Sequence, residues 1–397
     1  MPFSSSIYPI LITCPRGASV LLRDEVQGLG FALVSEIETG VFTEGTLADA
    51  MKLNLHVRTG HRVLCRVGSF TAGNPRELYS GVSSIPWERY LERDGYFSVT
   101  STVSTPSIRD SQYANLKCKD AIADRFNRKY GRRPDSGPGR ERTVVHLHWD
   151  ESTCHIYLDT SGEPLSRRGY RKIPLHAPMQ ETLAAAVILA TGWRGTSHFV
   201  NPMCGSGTLA IEAALIALDR APGSFRDNFG FMHIVGYDGR LWRTLRNRAN
   251  RNAKRSCDIK IIATDISEEA IEAAKRNAAR AGVEDVLEFG VCDFSRTAVP
   301  EGGGVVMLNP GYGERLGDVD SLRSTYHGIG DFFKQRCQGL DGYIFTGNLA
   351  LAKEVGLRTS RRIPFFNGPI ECRLLEYALY RGSRKDRSGV RGENADP

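Results

Sequence analysis

Two short stretches carry residue types with chemistry in them. Leu308-Asn309-Pro310-Gly311-Tyr312-Gly313-Glu314-Arg315 ends an apolar run and sets an amide, a carbonyl on a rigid ring and an aromatic side chain within four residues. Asn201-Pro202-Met203-Cys204-Gly205-Ser206-Gly207-Thr208 lies between a short strand pattern and an apolar helix, where missing side chains let backbone amides approach a ligand closely. A dinucleotide fold would add a third glycine and a ribose-binding acid roughly 20 residues onward. This chain lacks that glycine, and the acid ending the next strand, Asp265, lies far beyond that distance, so hydride transfer fits poorly. Asn201, Asp265, Asp293 and Asn309, each at a strand end, suit a nucleoside: an acid for ribose hydroxyls, an acid near an adenine amine, and glycine backbone beside an amino-acid moiety. Singly each reads equally well as a loop cap. Four in register on one sheet do not.

The elements that must hold these residues follow from the pattern. From about Lys172 the chain repeats strand, loop and helix, with polar or glycine-rich residues at the strand ends, which predicts a doubly wound α/β sheet with its ligand crevice outside those ends. Ser267 caps a predicted helix whose first turn carries Glu268 and Glu269. Before it lie two small α+β units, residues 1–65 and 66–168, and after it, beyond the sheet domain at 172–382, a polar basic tail at 383–397 expected to be disordered. Pro75 and Pro86 read as punctuation in a loop-rich connector. A helix from about Arg109 presents Tyr113, Leu116, Ala123, Phe126 and Tyr130 as one stripe, expected to face the core.

Composition bounds the rest. At 397 residues, 41% apolar and 24% charged, the chain is that of a multidomain globular protein, with no apolar run near a membrane span, and the expected compartment is the cytoplasm. Nine cysteines form no C-x-x-C and no zinc spacing, so they read as reduced thiols. His146, His148 and His155 read as strand surface and not as metal ligands, since no Cys or carboxylate pattern joins them. The net charge of +7 is concentrated in Arg125–Arg133, Arg167–Lys172 and Arg243–Arg255, the last with six cations and no acid. Such runs, two with tyrosine interleaved, suit a phosphate backbone, although any one of them alone reads more readily as a solvated helix face.

Asn201-Pro-Met-Cys-Gly-Ser-Gly-Thr-Leu-Ala-Ile-Glu-Ala-Ala214 together with Asn309-Pro-Gly-Tyr-Gly-Glu-Arg-Leu316 resembles the THUMP-containing guanine-N2 RNA methyltransferases, in particular the bacterial RlmL type that modifies 23S ribosomal RNA. The likeness extends through Arg109-Asp-Ser-Gln-Tyr113, Lys117–Ile122, Arg168-Gly-Tyr-Arg171, Glu181-Thr-Leu-Ala-Ala185 and Asn367-Gly-Pro-Ile-Glu-Cys372, nearly the whole chain. It implies a ferredoxin-like unit, a THUMP RNA-binding domain and a class I, Rossmann-like methyltransferase using S-adenosyl-L-methionine. It further implies that Asn201, Pro202, Met203, Cys204, Gly205, Ser206 and Gly207 border the methionine part of that cofactor. Asp265 would hold the ribose, Asp293 and Phe294 the adenine, and Glu181 and Thr182 would lie close by.

The resemblance gives the Asn309 motif a task. Asn309 and the carbonyl of Pro310 would accept the two hydrogens of an exocyclic amine, and Tyr312 would cover the extruded base. Arg128, Lys129, Arg132, Arg133, Arg168, Tyr170, Arg171 and Arg315 are the expected RNA contacts, and the partner is 23S rRNA or a ribosome assembly intermediate, with no metal and no membrane. Cys204 sits in the cofactor loop and is not expected to act as a nucleophile. Two positions depart from the pattern: Gly311 replaces a second proline, and Asn201 replaces an aspartate, which implies a looser loop and less negative charge beside a cationic cofactor. Other readings remain: a tRNA guanine-N2 or adenine-N6 methyltransferase, or a non-catalytic RNA-binding assembly factor.

Overall fold

The computed structural model describes residues 6–108, 110–171, 179–312 and 318–380, with the side chains of 318–321 set aside. In chain order the strands are β1 (Tyr8–Thr13), β2 (Leu33–Ile37), β3 (Gly40–Gly45), β4 (Arg62–Thr71), β5 (Tyr96–Ser104), β6 (Asp135–Ser136), β7 (Thr143–Asp150), β8 (Thr153–Asp159), β9 (His198–Pro202), β10 (Ile261–Asp265), β11 (Leu287–Val291), β12 (Gly304–Leu308), β13 (Asp341–Thr346), β14 (Arg361–Asn367) and β15 (Ile370–Ala378). The helices are α1 (Ser19–Gly28), α2 (Leu47–His56), α3 (Pro75–Ser84), α4 (Ser111–Tyr130), α5 (Glu181–Ala190), α6 (Thr208–Ala217), α7 (Gly239–Asn252), α8 (Glu268–Arg280), α9 (Asp318–Arg336) and α10 (Leu349–Lys353). They form two compact units, one of residues 1–172, 179–186 and 218–255, the other of 173–178, 187–217 and 256–397.

The first unit is built on one eight-stranded sheet ordered β2-β3-β1-β4-β8-β7-β5-β6. β4 serves both halves: Cys65 pairs with Ile10 of β1 on one side and with Leu158 of β8 on the other. The stretch around Pro75, expected as a connector, is helix α3. Asn74 accepts from the backbone N–H of Arg76 and Glu77 at 3.0 and 3.1 Å, and Pro75 occupies the first helical position, where its missing N–H costs nothing. Helix α4 forms as expected under an Asp110 cap, but its buried face is Ala114, Cys118, Ala121, Ile122 and Phe126, while Tyr113 and Leu116 are 44% and 50% exposed. Of the expected stripe, Ala123 and Phe126 are buried and Tyr130 is half-buried, so its C-terminal part faces the core as expected and its N-terminal part does not.

Residues 218–255 lie between β9 and β10 in the sequence yet pack within this first unit. Arg226 fastens them: its buried guanidinium donates to the carbonyls of Ser161 (2.9 Å), Glu163 (3.0 Å), Pro164 (3.2 Å) and Asn228 (3.3 Å) and lies 4.5 Å from the Phe229 ring centre. Trp242 of α7 meets Phe229 and Phe231 edge-on at 5.3 and 4.9 Å.

The second unit is a seven-stranded sheet ordered β11-β10-β9-β12-β13-β15-β14, with β9 to β13 mutually parallel and β15 antiparallel to β13. This is the doubly wound sheet the pattern predicts. The chain runs outward from β9 through β10 to β11, then returns to the other side of β9 with β12, so the switch point falls between β9 and β12, where a crevice opens in such sheets. Val200, Ile262, Val306, Leu308 and Ile344 of the sheet pack against Tyr326, Ile329, Phe332 and Phe333 of α9, which fixes the strand ends on which the polar residues stand.

Candidate active site

The loop from β9 to α6 is wound tightly. Met203, Gly205 and Gly207 have φ of 61°, 54° and 84°, the left-handed region. At Gly207 the glycine is required twice over, since an added Cβ would also stand 2.9 Å from Ala274 Cβ of α8. The loop is pinned to the neighbouring strand: Cys204 N–H donates to the Thr264 carbonyl and Gly205 N–H to Asp265 Oδ2, both at 2.9 Å. Gly207 N–H returns to the Cys204 carbonyl at 2.9 Å, and the Gly207 carbonyl accepts the N–H of Ile211 inside α6. Over Gly205, by contrast, an added Cβ would meet nothing within 4 Å.

Asn201 ties the two sides of the switch point together. Its Nδ2 donates to the Met307 carbonyl of β12 at 2.9 Å, a bond that an ionised aspartate could not make. Its Oδ1 is fully buried and has no hydrogen-bond partner, an unfilled acceptor beside the glycine corner. Asp265 Oδ1 also accepts from Ser267 N–H at 3.0 Å, and Ser267 caps α8 as expected, with Glu268 and Glu269 in its first turn. Asp293 accepts from the N–H and hydroxyl of Ser295 at 2.9 and 2.5 Å, and Phe294 stands edge-on to Phe332 at 6.1 Å. Both acids therefore orient their own loops. Burial, then the charge of Asp265, pushes the Cys204 thiol well above its usual range, so it carries no thiolate near neutral pH.

The segment after β12 is held from outside. Tyr312 donates its hydroxyl to Asn309 Oδ1 at 2.8 Å, Asn348 Nδ2 donates to the Tyr312 carbonyl at 3.0 Å, and Tyr326 donates to the Gly311 carbonyl at 3.3 Å. Thr346 Oγ1 in turn meets the Tyr326 hydroxyl at 2.7 Å and the Asn348 N–H at 3.0 Å. Sequence reading missed Tyr326, Thr346 and Asn348. The signal was Thr346-Gly347-Asn348, a polar, glycine-bearing end on β13 of the same kind as the four strand ends that were recognised. Asn309 is half-buried and Pro310 buried, directly after the C-terminal end of β12.

Of the expected RNA contacts, Arg168 and Tyr170 are corrected: each is 1% exposed and cannot meet a phosphate or a base. The Arg168 guanidinium donates to the Leu165 carbonyl at 2.9 Å and to the Arg58 carbonyl, and Tyr170 packs edge-on to Phe225. Arg171 is paired with the buried carboxylate of Glu181 at 3.0 Å, and Thr182 Oγ1 meets His61 Nδ1 at 3.1 Å, all within the first unit. Arg128, Lys129, Arg132 and Arg133 are exposed at the end of α4. Arg315 and the tail 383–397 lie outside the described residues. His146 and His155 bond the hydroxyls of Thr100 and Ser69, each at 3.0 Å. Among the described residues no helix is long and apolar enough to cross a membrane.

A family model described as "RMKL-like, methyltransferase domain" matches residues 168–376. The chain belongs to this RMKL-like methyltransferase family. Models of the RlmL ferredoxin-like domain and the THUMP domain match residues 9–64 and 72–159. The ribosomal RNA large subunit methyltransferase K/L of Syntrophotalea carbinolica is 39% identical over 92% of this chain and 53% of its own length. The K/L protein of Psychromonas ingrahamii is 40% identical over 93% and 50%. The chain thus spans about half the length of these relatives. A Synechocystis protein named as a candidate RNA methyltransferase is 34% identical over 95% of this chain and 98% of its own. A candidate methyltransferase solved with S-adenosylhomocysteine superposes with a TM-score of 0.85 at 28% identity, covering 96% of this chain and 100% of that one.

Proposed function

We propose that the chain methylates the exocyclic N2 amine of a guanine in the large-subunit ribosomal RNA. The observation that carries this reading is the half-buried Asn309 with its buried neighbour Pro310, at the end of the strand that Asn201 ties to the glycine loop. S-adenosylmethionine, when bound, supplies a methyl group on a sulfonium, an electrophile that needs only an oriented nucleophile. Residues 201–207 would hold its methionine part, with Asp265 and Asp293 toward the ribose and adenine.

An aromatic amine is a poor nucleophile because its lone pair is delocalised into the ring. Two neutral acceptors, Asn309 Oδ1 and the Pro310 carbonyl, would take its two hydrogens and turn the nitrogen toward the donor. They would also stabilise the positive charge that grows on the nitrogen as it attacks. Oδ1 has two lone pairs. One accepts the Tyr312 hydroxyl, and the other remains for the amine. The Tyr312 ring would cover the base once it has left its stack. The names of the K/L relatives and the RNA-binding type of the N-terminal domains support RNA as the substrate class.

The test is nucleoside mass spectrometry of large-subunit rRNA from cells with and without the protein. One N2-methylguanosine should be missing without it, and retention of every methylated nucleoside refutes the proposal. A second reading has one specific support: a Listeria monocytogenes protein assigned by prediction as an N6-adenine-specific DNA methylase superposes at a TM-score of 0.85 and 30% identity over 94% of this chain. Two acceptors serve an adenine amine equally well, and loss of an N6-methyladenosine in the same experiment would select it.

A further inference from the structure

We infer that helix α7 is a docking surface for the phosphate backbone of RNA, a role that rests on the RNA-methylation reading above. Seven cations, Arg240, Arg243, Arg246, Arg248, Arg251, Lys254 and Arg255, fall between Gly239 and Cys257 with no acid among them. At 3.6 residues per turn, Arg240, Arg243, Arg248 and Arg251 share an arc of about 140°, and Trp242 and Ala249 lie opposite. The structure agrees: those four arginines are exposed, while Trp242 is 3% and Ala249 5% exposed. At 1.5 Å per residue the four span roughly 16 Å along the axis, enough to follow several successive phosphates.

What separates this run from a solvated face is the fate of its charges. At the end of α4, Lys129 pairs with Glu88, Arg132 with Asp94 and Arg133 with Asp124. Among the described residues no carboxylate forms an ion pair with any of the seven cations of α7 and its C-terminal extension. Asp238, the nearest acid in sequence, caps the helix, accepting from the N–H of Arg240 and Leu241 at 2.8 and 3.2 Å, and its carboxylate attracts Arg240 and Arg243 only from a distance, without an ion-pair contact. Arg240 stands in the first turn, where a cation opposes the helix dipole, and Arg240/Arg243 and Arg248/Arg251 are like-charged neighbours at i,i+3. An anion laid along the face relieves all of these repulsions together.

The chemistry selects the anion. Six of the seven cations are arginine, whose planar fork suits phosphate oxygens. None of the large exposed hydrophobic residues lies on α7, so the face lacks the apolar side that an interfacial membrane helix inserts. The helix is anchored by Trp242 and by the Arg226 fastening in the same unit that carries the THUMP match, so the surface is rigidly joined to the RNA-binding half of the chain.

Filter binding of the full chain to an unmodified 23S rRNA transcript, from about 50 to 200 mM salt, tests this. Replacing Arg240, Arg243, Arg248 and Arg251 by Gln should weaken binding at least about tenfold and make the log K against log salt slope shallower by about 3, from four lost contacts at roughly 0.7 each. Neutralising Lys129, Arg132 and Arg133 should change affinity less than about threefold, because those cations are already paired. Arg240→Glu guards against misfolding: a carboxylate in the first turn favours the helix, yet affinity should fall. A quadruple variant with wild-type affinity and slope refutes the surface and leaves the reaction standing. A wild-type chain that binds no RNA refutes both.

Discussion

Tyr312→Phe separates two roles for one side chain. The ring can cover a base with or without its hydroxyl. The hydroxyl alone reaches Asn309 Oδ1, at 2.8 Å. Gly311 gives the segment backbone freedom, and the tethers from Tyr326 and Asn348 reach carbonyls of the main chain, not the Asn309 side chain. The phenol is therefore a side-chain contact that orients the Asn309 amide. A neutral hydrogen bond is worth about 0.5–1.5 kcal/mol net, so its loss should lower kcat by about 2- to 13-fold. KM for RNA should stay constant, because the ring remains. Tyr312→Ala should add the loss of stacking, about 1–3 kcal/mol, and raise KM. Single-turnover transfer of a labelled methyl group to unmodified rRNA measures both. A Phe variant as fast as wild type would show that Asn309 needs no help, and a faster one would show that the hydroxyl competes with the amine.

Four further outcomes are expected. Asn309→Ala should abolish transfer and leave donor affinity within about twofold by calorimetry, since the residue is assigned to the amine; equal loss of both misplaces it. Gly311→Ala should leave the rate unchanged or raised, because an added Cβ meets only Leu322 Cδ2 at 3.6 Å and reduces backbone freedom; a rate lost on Ala would show that the segment must flex. Arg226→Met should cost about 2–3 kcal/mol in urea unfolding by stripping buried carbonyls of their donor; a value near zero would mean water replaces it. Burial first, then neighbouring arginines, holds both His61 and His146 down to about 4. Between about pH 6.5 and 4 the unfolded chain thus binds more protons, so stability is full above pH 6.5 and falls toward pH 4, by about 3 kcal/mol for each ring. Urea midpoints across that range check it, and a flat profile contradicts it.

The catalytic sheet was legible because each strand announces itself twice, by an apolar run and by the polar residue that ends it. Asn201, Asp265, Asp293 and Asn309 stand at four such ends in the second unit. Reading failed where local chemistry is ambiguous or where partners are distant. Pro75 marks a helix start as readily as a loop, and the deciding residue was the Asn74 before it. In α4 the first buried residues are the small Ala114 and Cys118, so weighting by size chose the exposed Tyr113 and Leu116 there, while Ala123 and Phe126 were read correctly. Arg168 is indistinguishable by sequence from an RNA-facing arginine, yet its partners are backbone carbonyls at Arg58 and Leu165, the former far away in the chain. For the same reason the membership of 218–255 in the first unit was hidden: Arg226 finds its acceptors among residues 161–164, more than 60 positions earlier. The support of the Asn309 segment by Tyr326, Thr346 and Asn348 was likewise a matter of packing.

The central claim is that Asn309 and Pro310 present a guanine amine for methylation. Purified chain should be incubated with isotopically labelled S-adenosylmethionine and unmodified 23S rRNA, and the RNA digested and its nucleosides resolved by mass. The label should appear in N2-methylguanosine with wild type and be absent with Asn309→Ala. Label in any other nucleoside, or in N2-methylguanosine with both proteins, would contradict it.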